Sequence, residues 1–210
     1  SVSGDGSLAK SGASTLTLTG VNTFGGDTTL SQGNLILSSA GSLQTSYAGN
    51  IALSSGTVFT YGSNVDQTLA GIISGAGGIT KSGSSTLTLT GANTRTGDTN
   101  LAAGVLSLGS ATALSNNAGT ISFTGGNLQY LASNTVDYSG RFSTAASQSY
   151  DIDTNGVDVT FATALTSASG TLMKAGLGTL TLTGNNTFDG DTSITGGVLA
   201  VSSAGALQTS

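Results

Sequence analysis

The chain has 210 residues, of which 37% are hydrophobic and 7% charged, with 33 glycines and no proline, cysteine or histidine. That is too apolar for intrinsic disorder and too poor in charge for the solvated surface of an ordinary globular enzyme. The net charge of −5 sets Lys10, Lys81, Lys174, Arg95 and Arg141 against ten aspartates, which leaves no cationic cluster for a nucleic acid or an anionic membrane, and no thiol for disulfide or nucleophile chemistry.

No apolar run reaches the length of a membrane-spanning helix, and residues 1–30 carry no secretory leader, so the expectation is a mature or excised piece with no membrane insertion of its own. Taken in chain order, a first block covers residues 4–46. Lys10 precedes a small-residue turn, and then Leu16 and Leu18 alternate with Thr15, Thr17 and Thr19. Side chains alternate faces along a strand, so the leucines point in and the threonines out. Gly20, Gly26 and Gly33 follow as corners, with Asp27 among them, and a second alternation at Leu35 and Leu37 leads to Leu43.

Residues 47–74 form a spacer with short strands at 51–53 and 57–60 and with Tyr47 and Tyr61. A second block, 75–117, opens on Gly75-Ala76-Gly77-Gly78 and repeats the pattern through Lys81, Leu87, Leu89, Asp98, Leu106 and Leu108 to Leu114. A longer spacer, 118–167, has strand patterns at 121–123, 127–130 and 157–161 and holds Tyr130, Tyr138, Tyr150, Asp151 and Asp153. Asn155-Gly156 there fits either a tight hairpin or a coil corner. The third block, 168–210, runs through Lys174, Leu180, Leu182, Asp189, Asp191, Leu199 and Val201 to Leu207; residues 207–210 (LQTS) repeat 43–46, as if the pattern stopped midway.

Lys10 to Lys81 is 71 residues and Lys81 to Lys174 is 93. At roughly 22 to 24 residues per coil these are three and four windings, which would keep the blocks in phase. The pattern therefore predicts an all-β, right-handed parallel β-helix (β-solenoid) as a single segment, with little or no α-helix. The absence of proline suits a ladder in which every backbone N–H is a donor.

The run K-x-G-x-x-TLTLTG-x-NT, present at Lys10, Lys81 and Lys174, resembles the autotransporter-associated β-strand repeat, also called the passenger-associated transport repeat. The resemblance implies a β-helical stalk in a large secreted bacterial passenger protein, located extracellularly or on the outer surface, with a part in export or fibre formation. Asp27, Asp98 and Asp191 stand where family members often carry a second glycine.

Several residues are candidate sites. The three aspartates, with Asp189 beside Asp191, could hold calcium at turns or could cap their own turns. Asp151 and Asp153 share one side of a strand, as a catalytic carboxylate pair would, or form a solvated strand. Gly75 to Gly78 would need a following helix to cradle phosphate. The outward threonine rows are too widely spaced for a regular ice-binding array. The five spacer tyrosines could contact glycans or stack on the surface, and Lys10, Lys81 and Lys174 read as corner charges that block edge pairing. No catalytic, cofactor or metal residue is assigned. The expected function is a structural stalk or spacer that is no enzyme, with neighbouring repeats or further copies end to end as partners and no nucleic acid. Its rivals are a glycan- or host-binding adhesin and a carbohydrate-active β-helix enzyme.

Overall fold

The computed structural model describes residues 1–115 and 119–202; the closing residues 203–210, with the repeated LQTS, lie outside that range. The chain winds into a parallel β-solenoid of about nine turns with ~21 residues per turn. All strand pairs among the described residues are parallel. Paired residues lie between 19 apart, as in Thr15 and Asn34, and 24 apart, as in Asn34 and Val58. The turn is therefore slightly shorter than the expected 22 to 24. The helical content described is one 3-10 turn, Ser139–Arg141.

Each turn has three sides. The first side stacks Leu8–Lys10, Thr28–Leu30, Ile51–Leu53 and Ile73–Gly75. The second stacks six strands, from Thr15–Leu18 through Asn34–Ser39, Val58–Ser63 and Gly78–Lys81 to Ile121–Phe123. The third carries eight, from Ser46–Tyr47 through Thr86–Leu89, Val105–Leu108 and Ser149–Asp153 to Thr192–Ile194. Beyond Gly75 the first side continues through less regular backbone, where Thr94 and Thr96 donate to Ile73 and Gly75. It regains strands at Val159–Phe161, Thr179–Leu182 and Val198–Val201.

Parallel register stacks like on like. On the third side one inward column runs Leu87, Leu106, Leu128, Ile152, and a second runs Leu69, Leu89, Leu108, Tyr130. These side chains are buried, and at roughly 25 cal/mol per Å² of apolar area such columns are the main stabilising term. In the long spacer the columns become aromatic: Phe142 meets Phe123 and Phe161 edge-on at 4.9 and 5.2 Å, and Phe123 meets Tyr150 at 5.5 Å.

The blocks are not in phase. Thr15–Leu18, Thr86–Leu89 and Thr179–Leu182 are equivalent in sequence, yet they lie in the six-stranded, the eight-stranded and a three-stranded sheet. Intervals of 71 and 93 residues are three and four turns of ~21 plus about one side each. Each block is thus rotated by one side relative to the block before it. Asn155-Gly156, with φ of +46° and +86°, is a corner between strands of different stacks and not a hairpin.

Candidate functional site

The repeated residues build a polar device inside the corners. Period-two alternation places Lys10 on the same side as Leu8, Lys81 with Ile79 and Lys174 with Leu172, so the lysines turn inward. Lys81 and Lys174 are fully buried. Lys174 Nζ donates to the carbonyls of Ala175, Gly176 and Gly196 at 2.8, 2.8 and 3.0 Å, which uses all three protons. Lys81 Nζ donates to Gly83 and Ala103 at 2.5 and 3.2 Å, and Lys10 Nζ to Gly12 and Gln32. Each ammonium joins its own corner to the next winding. At Lys81 and Lys174 the expected corner charge that blocks edge pairing is corrected to a buried carbonyl clamp, because the lysine occupies an inward strand position; Lys10 makes the same bonds from a partly exposed position. Burial lowers the Lys81 pKa to about 8 from its usual 10.5, against the pull of Asp66.

The clamp also dictates a glycine. Gly104 and Gly197 have φ of +67° and +66°, and a Cβ on either would meet the lysine Nζ at 2.6 and 2.8 Å.

Asn22, Asn93 and Asn186, in the NT of each block, are buried. Asn93 Oδ1 accepts the Ile73 N–H at 2.7 Å and its Nδ2 donates to the Ala113 carbonyl at 2.8 Å, so one side chain ties three successive windings. Asn22 does the same with Val2 and Ser42, and Asn186 accepts from Leu165. Sequence reasoning passed over this residue; its signal was an amide recurring at one place in all three blocks.

The exposed aspartates work between windings. Asp27 Oδ1 accepts the Asn50 N–H at 2.8 Å and Asp98 Oδ1 the Thr120 N–H at 2.7 Å. Asp66, Asp158 and Asp189 serve Thr86, Thr179 and Ser169 in the same way. All five staple an adjacent winding; for Asp27, Asp98 and Asp189, capping of their own turn was the expectation. The described residues hold no group of three His, Cys, Asp or Glu side chains that could share a metal ion.

Asp151 and Asp153 do share the outward side, but each is held by a neighbour. Asn127 Nδ2 donates to Asp151 at 2.7 Å and Gln129 Nε2 to Asp153 at 2.8 Å. Desolvation raises the Asp151 pKa, the Asn127 bond opposes this, and Asp153 adds to it. Gly75 to Gly78 form a corner between Ile73–Gly75 and Gly78–Lys81, with no helix behind them. The threonine rows fall on three different sides, so no flat array forms.

All five tyrosines are buried in the core, which overturns both their glycan and their surface-stacking readings. Their hydroxyls reach corner carbonyls: Tyr47 donates to Gly26 at 2.5 Å and Tyr150 to Ser143 at 2.9 Å. Arg95, also unanticipated, sits inside with 1% exposure where the other blocks have the buried Phe24 and Phe188.

The family pattern described as the passenger-associated-transport-repeat matches residues 8–37, 79–108 and 169–201. The Adhesin BmaC autotransporter of Brucella suis biovar 1 (strain 1330) is 35% identical over 146 residues, covering 69% of this chain and 4% of that protein. No solved structure matches the chain.

Proposed function

The three blocks belong to the passenger-associated-transport-repeat family, and from that premise we propose that this segment is a stalk or spacer of an autotransporter-type surface passenger. The observation that carries the reading is the set of interior Lys and Asn side chains, each bonded to backbone of more than one winding. Buried backbone groups must be paired, so a polar side chain that pairs groups from neighbouring windings fixes their stacking register. The product is a rod held together without any disulfide. The family and the name of the relative favour a non-enzymatic role at the cell surface.

Electron microscopy of cells displaying the full-length passenger tests the stalk role. Deleting this segment shortens the surface projection while domains farther out stay displayed; an unchanged projection length defeats the proposal. A second reading, adhesion, is favoured by the relative being an adhesin. It needs a contact surface other than the buried tyrosines.

A further inference from the structure

Along the corner between the first and second sides, an open groove of about 820 Å³ is lined by residues including Thr96, Asp98, Thr120, Arg141 and Thr144. It adjoins a groove of about 460 Å³ that shares Thr96 and Asp98 and extends to Asn100, Thr80 and Thr57. Together they form a trough crossing five windings, about 19 Å at the ~4.8 Å spacing of adjacent strands. Its recess has a cause in the sequence. Gly77, Gly97 and Gly119 stack backbone on backbone there, and a Cβ on Gly97 or Gly119 would fall on the carbonyl of the glycine beneath.

We propose that this trough binds a linear, uncharged oligosaccharide. The proposal rests on the adhesive reading and gives it a place and a ligand class. The lining carries the hydroxyls of Thr96, Thr120 and Thr144, the side-chain amide of Asn100 and one carboxylate, Asp98, so neighbouring sugar hydroxyls find both acceptors and donors, while the Arg141 guanidinium is turned inward onto the Gly119, Leu114 and Ser115 carbonyls. Asp98 Oδ1 is committed to the Thr120 N–H, while the exposed side chain presents its second oxygen to the trough. An anionic polymer would meet Asp98 and a chain of net charge −5, and a cationic one would find no second carboxylate among the lining residues.

Arg95 fits this assignment as a positioning residue. Its Nη1 donates to the Gly97 and Asp98 carbonyls at 2.7 and 3.2 Å and its Nη2 to Thr99 Oγ1, while Nε is buried without a partner. A buried guanidinium with an unsatisfied N–H is costly where the other two blocks hold phenylalanine. The arginine holds the backbone that carries Asp98 under the trough.

The test is a printed array of neutral and acidic oligosaccharides, four to six sugars long, probed with the intact segment, followed by titration of the best neutral binder. Binding should favour neutral chains and weaken about ten-fold in Thr144→Arg, which fills the trough from an exposed position, and in Asp98→Asn. Asp158→Asn, outside the trough, should bind as the parent does. Arg95→Phe should melt no lower than the parent and yet lose about ten-fold in affinity, a split that a merely structural role would not give. An array without neutral binders, or binding indifferent to Thr144→Arg, overturns the trough. Attachment of the immobilised segment to host cells is scored separately, so adhesion through another face remains distinguishable from failure of this site.

Discussion

At the scale of single residues, stability depends on side chains that composition alone would place outside. Asn93 satisfies an N–H from the winding below and a C=O from the winding above. Asn93→Leu keeps the volume and orphans both groups, so it should cost roughly 2–4 kcal/mol, read as a lower denaturation midpoint at unchanged slope. Lys81 gives a pH dependence of calculable sign. Its folded pKa of about 8 lies below the unfolded 10.5, so between those values the unfolded chain binds more protons and stability rises with pH. Burial raises the tyrosines above 10, so above that pH the folded chain holds protons that the unfolded chain has lost, and their contribution falls. Thermal melts should therefore improve from pH 7.5 to 9.5, and most of that gain should vanish in Lys81→Met. The inward lysine was legible in the alternation Ile79-Thr80-Lys81. It was missed because a lysine is rarely buried unless paired, and the partners here are carbonyls, which leave no mark in sequence.

At the scale of strands, the leucine and threonine alternation was readable because a parallel ladder repeats one inward set in every winding. What it could not show is which outward side chains meet across windings, since that follows from turn lengths that vary between 19 and 24 residues. The outward column Thr86, Val105, Asn127, Asp151, Met173 is one result. In it Asn127 donates to Asp151, while Asn127 Oδ1 is buried with no partner. Asp151→Asn would let the new amide donate to that oxygen and would relieve the repulsion from Asp153. The expected outcome is a gain of about 1 kcal/mol at pH 7 by chemical denaturation; an unchanged or lower midpoint would mean that Asn127 finds its partner elsewhere.

At the scale of the whole molecule, the one-side rotation of successive blocks shows that a block depends on the fit of its own strands to the corners and not on a particular face of the rod. Lys, TLTL and NT occupy three consecutive sides, and the clamps they carry reach the windings above and below wherever the block begins. The sequence intervals held this phase, but an assumed turn of 22 to 24 residues hid it. Whole windings should consequently be removable. Asn127 pairs with Asp151 in register, so deleting residues 127–150 joins Gly126 to Asp151 with side-chain alternation intact. That deletion should give a soluble solenoid, shorter by about 4.8 Å, that melts cooperatively, with its length measured by small-angle scattering. Removing twelve residues from the same spacer leaves the third block about half a turn out of phase, aims its lysine and asparagine away from the corners, and should yield aggregate. Equal tolerance of both deletions would show that the blocks do not set the register of the rod.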